Sequence, residues 1–446
     1  MQSNGKITIS ESMAQNLGLP LKPYIEVRAG QIIVTAELAI SPDNRKSYLL
    51  SPSLAQALFI KRQKQMLIRY DSTAGHLHLG PTIGILSTFL PNKEEFDPTG
   101  VQADIIYLSN MGKLLPGQVY IFTPSSINWS NKTTRGYVYR QVAADRGVWV
   151  ADTYPLPDVV YDRVSSRISE GKESIKSTKT RLMKQSYLKY FNPHFLNKWK
   201  VHQILSNNPR LHPYLPETNL LNSENLQNML NKYPVLFVKP GNGSLGYGII
   251  KLKKNERGEI NYVVNRGRGR LRTQAENAGE FIKKTQKIRK DKQYIVQQGI
   301  DLALYRGSPF DIRIIYQKDG RGEWQISKKF VRVAAPGSSV SNLSSGGRAE
   351  PSKKVLKYLY ARKESIEERN REIKTLCHTV ALTLEKSSNG IFGELGLDIG
   401  IDKKGHPWLI EVNSKPRKTT ESDYSRVIIR NSFKRPLEYS VYLAGF

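Results

Sequence analysis

Between Pro234 and Leu252 the chain reads as a strand, a glycine-rich loop and a second strand. PVLFVKP closes on Lys239 and Pro240, GNGSLGYG places four glycines in eight residues, and GIIKL resumes the apolar pattern. Glycine permits positive φ and lets backbone amides approach an anion, and a lysine at the strand end adds a point charge. Together they describe a phosphate grip. It is no Walker loop, because GxxxxGK followed by Ser or Thr is absent. The spacing GxGxxG does occur as Gly241, Gly243 and Gly246, yet a dinucleotide-binding fold requires a helix next and here a strand follows. The bland alternative is a glycine-rich hairpin without a ligand.

A second constellation stands near the C-terminus, in FGELGLDIGID and PWLIEVN. A hairpin turning at Lys404 and Gly405 sets Asp398 opposite Glu411, and opposed residues of an antiparallel pair share a face. Asn413, two residues beyond Glu411, shares it too. Two carboxylates and an amide carbonyl make a hard-cation site suited to Mg²⁺, which also takes phosphate oxygens. A bare carboxylate pair would repel, so a metal accounts for it better than a plain surface does.

The rest of the chain orders itself around these two signals. At 446 residues it is long for one core and implies about two to four packed units. Residues 1–80 form a β-rich unit of short runs such as IEVRAGQIIVTAEL. Residues 81–190 carry strands PTIGILST, ADIIYLS, VYIF and DVVYDRV and read as a small α/β layer. Residues 191–294 and 295–446 follow as two further lobes, with NKWKVHQIL helical, QYIVQQGI, DIRIIY and EWQISKKF as strands, and Ile366, Ile373, Leu376, Val380 and Leu384 at helical spacing. Ten basic residues between Arg163 and Lys200 suggest a surface connection or exposed helix. His76 and His78 form HxH and read as two exposed polar residues on a strand rather than metal ligands.

FVKPGNGSLGYGI, YIVQQGI, the DIR of Asp311 to Arg313, GLDIGID and WLIEVNSKP stand in the order and spacing of the ATP-grasp superfamily. The whole sequence resembles the endospore-coat-associated YheC/YheD family within it. The resemblance implies an α+β/α/β multidomain chain: an ATP-grasp fold of two α+β lobes gripping ATP, preceded by a small α/β domain and the N-terminal β-rich unit. It further implies an ATP- and Mg²⁺-dependent carboxylate–amine, peptide-like ligase acting through an acyl phosphate, with Mn²⁺ as the alternative ion. Lys239 matches the lysine that meets the α and β phosphates, and the loop with Gly241, Gly243, Ser244 and Gly246 matches the lid over them. Lys198 resembles the earlier nucleotide-contacting lysine, with Lys200 as the other choice. Gln297 and Gln298 occupy the interlobe hinge beside adenine, where many relatives carry an acid, and Asp301 matches a ribose partner. Asp398, Glu411 and Asn413 match the metal ligands. Arg313 and Arg332 match arginines near the transferred phosphate or the substrate carboxylate, and SNLSSGGR, with Asn342 and Arg348, resembles the acceptor-side loop.

Composition narrows the remaining classes. The single cysteine, Cys377, excludes an intramolecular disulfide framework and a cysteine-based zinc cluster and reads as core. The opening MQSNGKITIS lacks a signal peptide, and no run of about 18 apolar residues occurs, so the expectation is a cytoplasmic protein with no membrane partner; association with the spore coat is what the family resemblance implies. A net charge of +29 draws in anionic surfaces or polymers, and it thickens between Lys251 and Lys292 with 14 basic and 5 acidic residues. Without a recognition module, sequence-specific nucleic acid is not expected. The competing function is an ATP-binding structural or adaptor protein of the coat without ligase turnover.

Overall fold

The computed structural model describes residues 3–20, 22–43, 47–61, 64–90, 103–143, 146–243, 247–265, 270–290, 292–335, 346–360, 362–388, 390–418 and 426–446. Four sheets follow one another along the chain.

The first lies within residues 6–80, with spatial order Tyr48–Leu50, Lys6–Ser10, Ile32–Ser41, Tyr24–Ala29, His76–Gly80, Leu67–Asp71. Alternation buries Ile7, Ile9, Val27, Leu77 and Leu79 against Leu54 of helix Pro52–Ala57.

The second sheet has a parallel centre made of Gln118–Phe122, Thr82–Leu86, Val159–Asp162 and Lys189–Phe191, extended by the antiparallel hairpin Thr133–Gln141 and Gly147–Pro155. Parallel strands are covered on both faces, which is why PTIGILST and VYIF read as unbroken apolar runs. Helix Glu173–Met183 covers one face with Ile175 and Leu182. The other takes helix Ala103–Gly112 and the C-terminal helix Arg426–Leu443, whose Phe433 and Leu437 join Ile83, Ile85 and Val159. The expected strand ADIIYLS is therefore a helix. Its run of Ile, Tyr and Leu suits either state, and packing decides: buried on most sides, it stacks Tyr107 on Phe433 with ring centroids 4.9 Å apart.

The third sheet, Thr218–Leu220, Tyr294–Gln298, Val235–Pro240, Ile250–Lys254, Ile260–Asn265 and Arg270–Ala275, is antiparallel throughout. Helices Ser223–Lys232 and Ala278–Arg289 cover one face, placing Met229, Leu230 and Phe281 on Leu236, Val238 and Leu252. The alternate residues, Phe237 and Lys239 among them, face the other way. The fourth sheet runs Arg348–Pro351, Trp324–Val333, Ser308–Lys318, Glu394–Ile401, Pro407–Asn413. Helices Ser352–Leu359 and Lys363–Ser387 carry the expected apolar spacing and pack on Ile312, Ile314, Leu395 and Leu397. Cys377 is fully buried there. The opposite face holds Asp311, Arg313, Arg332, Asp398 and Glu411, a division of labour that follows from the two-residue period of a strand.

The sheets are joined by buried charge. Arg28 of the first sheet meets Asp158 of the second at 2.8 Å, and His78 Nε2 lies 2.9 Å from the same carboxylate. His76 accepts from Arg28 Nε at 3.0 Å. Both histidines are almost wholly buried, contrary to the exposed HxH expected, because that end of the strand is the docking face rather than a free edge. Burial, opposed by Asp71 and reinforced by Arg28, lowers His76 to about 4 and keeps it neutral. The basic stretch after Arg163 is in part the exposed helix expected, with Lys172, Lys176, Arg181 and Lys184 exposed. It folds as helices Arg167–Glu170 and Glu173–Met183, and Lys179 turns inward to Asp162 and Glu170, each at 2.8 Å.

Candidate active site

The third and fourth sheets face each other across an open cleft, walled at one side by helix Lys198–Ser206. Lys198, His202, Thr218, Lys239, Gln297 and Glu411 supply its polar groups, and residues such as Val201, Leu205, Leu215, Pro216 and Leu409 its apolar walls. Helix Lys198–Ser206 begins there because the Asn197 side chain accepts from the backbone N–H groups of Trp199 and Lys200. Its first residue, Lys198, donates to Glu411 Oε1 and to the Gly243 carbonyl, both at 2.9 Å. Lys200 is exposed and stands outside the cleft, so of the two lysines weighed it is Lys198 that enters it.

Lys239 donates to Gln297 Oε1 at 2.6 Å, and Gln297 donates onward to Thr218 Oγ1 at 3.0 Å. Burial lowers the Lys239 ammonium to about 8, against the attraction of Glu411. Of the glycine loop, Gly241 and Gly243 are described, while Ser244 and Gly246 lie outside the described residues. Gly241 receives the Lys198 backbone N–H on its carbonyl at 2.9 Å. A Cβ on Gly243 would stand 2.2 Å from Pro240 Cγ, and Gly248 adopts φ +74°, so glycine is required at both.

Asp398 and Glu411 are paired across the hairpin, and Gly396 pairs with Asn413. The turn lies one residue nearer the N-terminus than expected, with Ile401 opposite Pro407, and a bulge between Asp398 and Ile399 restores the register at the acids. The two acids are not an uncompensated pair. Arg313 Nε lies 2.5 Å from Asp398 Oδ1 but off the line of a hydrogen bond, and its Nη2 donates to Oδ2 at 3.0 Å. Arg332 Nη2 reaches Asp398 Oδ2 at 2.8 Å while its Nε and Nη2 grip both Asp311 oxygens at 2.7 and 2.6 Å. The repulsion used above to infer a metal is therefore cancelled by the protein itself. Burial pushes the Asp398 carboxyl up against the pull of these guanidiniums; burial would also raise Glu411, yet Lys198, Arg313 and Lys239 hold it at about 2.

The donor set still suits a hard cation: two carboxylates and an amide oxygen on one sheet face, with Asp398 Oδ1 buried and lacking a hydrogen bond. Among the described residues no group of three or more His, Cys, Asp or Glu is gathered as a metal site.

Two nominated residues stand apart. Gln298 turns its Oε1 to the Glu217 backbone N–H at 3.1 Å and its own N–H to the Glu217 carbonyl, on the far side of the strand from Gln297. Asp301 is exposed and pairs with Lys403 at 2.9 Å. Asn342 lies outside the described residues, and Arg348 pairs with Glu350 at 3.4 Å. The apolar wall was missed; Leu215 and Pro216 precede the edge strand Thr218–Leu220 in LPET, a segment whose only sequence signal is a loop. A slot with apolar sides and two ammonium groups at one end can hold a flat ring system that carries phosphates.

Residues 187–443 match the YheC/D-like ATP-grasp family. The endospore coat-associated protein YheD of Bacillus subtilis is 29% identical over 418 residues, 93% of this chain and 90% of YheD. The endospore coat-associated protein YheC of the same organism is 25% identical over 323 residues, 72% of this chain and 87% of YheC. Among solved structures, D-alanyl-alanine synthetase A from Vibrio cholerae aligns with 82% of this chain and 98% of its own, at 14% identity and a TM-score of 0.48. With more than half of its length matched, the chain belongs to the YheC/D-like ATP-grasp family and has the ATP-grasp fold.

Proposed function

We propose that the protein is an ATP- and Mg²⁺-dependent ligase that joins a carboxylate to an amine through an acyl phosphate. The observation that carries this is the convergence of Lys198, Lys239 and Glu411 at one end of an apolar slot between two lobes. A carboxylate and a triphosphate repel, so a site that joins them must first cancel charge. Lys239 and Lys198 do so from the third sheet and the interlobe helix, and Gln297 orients Lys239. Leu215, Pro216 and Leu409 exclude water from the base, which strengthens every interaction at the phosphate end. Asp398, Glu411 and Asn413 would hold Mg²⁺, or Mn²⁺, which supplies Lewis-acid neutralisation of phosphate oxygens when bound. No covalent nucleophile is required, and burial pushes the Cys377 thiol up to about 12, out of reach of that role.

Both curated relatives are named endospore coat-associated; the same association is proposed here for a cytoplasmic protein, with the division into units 1–80, 81–190, 191–294 and 295–446. Among the described residues no helix is long and apolar enough to cross a membrane. One observation favours the second reading, a coat adaptor that binds ATP without turnover: the Asp398 and Glu411 carboxylates are engaged by Arg313, Arg332 and Lys198. Calorimetry with a nonhydrolysable ATP analogue, with and without Mg²⁺, tests nucleotide binding. ADP release on a panel of amino acids, peptides and wall precursors separates the two readings: binding with no release on any of them leaves the adaptor.

A further inference from the structure

The strands of the third sheet carry no acid. Thr218–Leu220, Tyr294–Gln298, Val235–Pro240, Ile250–Lys254, Ile260–Asn265 and Arg270–Ala275 contain six lysines and arginines and neither Asp nor Glu. Like charges gathered on neighbouring strands repel and cost the fold stability, so folding alone does not call for them.

Register says which way these cations face. Thr218, Gln297, Phe237, Lys251, Val263 and Arg272 stand opposite one another in a row across all six strands, and opposed residues of an antiparallel pair share a face. Thr218 and Gln297 line the cleft, so Lys251 and Arg272 lie on that same side of the sheet, beyond the cleft's rim. Lys253, two residues from Lys251 and opposite Asn261, joins them. The covering helices occupy the other face, over Leu236, Leu252 and Tyr262. Lys253 and Arg272 are exposed and Lys251 is half-buried. Among the described residues none of the three makes an ion pair, whereas lysines of the covering helices do, Lys284 with Glu280 at 2.8 Å and Lys232 with Glu217 at 3.2 Å.

The spacing defines what such a face can hold. Neighbouring strands lie about 4.8 Å apart and alternate residues of one strand about 7 Å. Lys251 and Lys253 are therefore about 7 Å apart, Arg272 is about 10 Å across from Lys251, and Lys239, at the phosphate end, is about 8 Å from Lys251 on the diagonal. At 0.1 M salt charges act together over about 10 Å. An extended polypeptide shows every second side chain on one side at the same interval of about 7 Å, so its carboxylates can meet these cations in turn. A single nucleic-acid strand would meet the charge too, but platforms for it add aromatic rings on which bases stack. Phe237 is half-buried with Lys239 Nζ 5.6 Å from its ring, and the other described neighbours on this face, Val235, Asn261, Val263 and Gln274, offer no ring.

We propose that the cleft side of the third sheet, through Lys251, Lys253 and Arg272, docks an acidic polypeptide and leads it to the phosphate end at Lys239. That this polypeptide is the substrate rests on the ligase reading; the docking does not.

Fluorescein-labelled octaglutamate is titrated with the full chain by anisotropy at about 50 and 200 mM salt, beside octaglutamine and an oligothymidylate of equal charge. Wild type is expected to bind octaglutamate, more weakly at the higher salt, and not octaglutamine. The triple variant Lys251→Gln, Lys253→Gln, Arg272→Gln should bind octaglutamate about tenfold or more weakly. The control Lys357→Gln, Arg371→Gln, Lys374→Gln removes as many exposed charges from the helices behind the fourth sheet and should change affinity less than about twofold. Arg272→Gln alone, on the edge strand, should give part of the loss at an unchanged melting temperature, so the test stands even if the triple variant misfolds. No binding by wild type, equal affinity in the folded cleft-side variants, an equal loss in the control, or tighter binding of the oligothymidylate overturns the proposal. Calorimetry with a nonhydrolysable ATP analogue keeps the two ideas apart. A wild type that binds octaglutamate but no nucleotide upholds the docking face and sinks the ligase reading, and the reverse result removes the face and leaves that reading standing.

Discussion

Replacing Lys239 by Met should make the protein more stable and less able to bind nucleotide. Burial takes the ammonium from its ordinary 10.5 to about 8, and at roughly 1.4 kcal/mol per pH unit the charge costs the fold about 3 kcal/mol at neutral pH. Methionine keeps the apolar stem and removes the charge. Against this gain stands the 2.6 Å hydrogen bond to Gln297, whose loss, because its donor is charged, costs about 1.5–3 kcal/mol. A net stabilisation of at most about 1.5 kcal/mol remains. The sign with pH follows from the depressed value. Below about 8 both the folded and the unfolded chain carry the proton and the penalty is complete. As pH rises from there to 10.5 the folded lysine loses its proton first, so the penalty in the wild type fades and the advantage of the variant shrinks. Nucleotide affinity should fall at least about tenfold, or 1.4 kcal/mol, because the cation at the phosphate end is gone. Denaturant melts at pH 7 and 9.5, with calorimetry of an ATP analogue, read both effects. A variant less stable than wild type at pH 7, an advantage independent of pH, or unchanged nucleotide affinity would refute the reasoning.

Glu411→Gln should keep nucleotide binding and lose turnover, measured as ADP release once an active substrate is found; it should also lack the fall in stability that wild type shows as acid takes Glu411 from its ordinary 4.5 through about 2. The Cys377 thiol, pushed from 9.0 to about 12 by burial, should react with a thiol reagent at pH 8 roughly a thousandfold more slowly in native than in denatured protein; rapid native labelling would contradict its place in the core. On helix Ala278–Arg289 and just beyond it, Lys284 pairs with Glu280 at 2.8 Å and Arg289 bonds Ile282 and Thr285, so neutralising the exposed Lys283, Lys287 and Lys290 should weaken binding to an anionic polymer and flatten its salt dependence in a filter assay, with ATP affinity unchanged. A sequence-selective DNA complex that survives high salt would overturn that prediction.

What local pattern could carry was legible. The strand, glycine loop and strand around Lys239 need only nearest-neighbour stiffness and alternation, and the pairing of Asp398 with Glu411 needs only a hairpin and a two-residue period. The helix at Ala103–Gly112 was not legible, because an apolar run without periodicity takes the state its neighbours impose, here the C-terminal helix more than 300 residues away in sequence. The sequence by itself determined the fold family and which residues are candidates to meet phosphates. Only the tertiary structure decided which charges remain available: Arg313 and Arg332 are tied to acids on adjacent strands, Lys179 turns inward, and the histidines at 76 and 78 become buried partners of Arg28 and Asp158. The reason is physical. A side chain's partners are set by which strands and units are brought within a few ångströms, and the energy of a charge depends on that neighbourhood far more than on its place in the sequence.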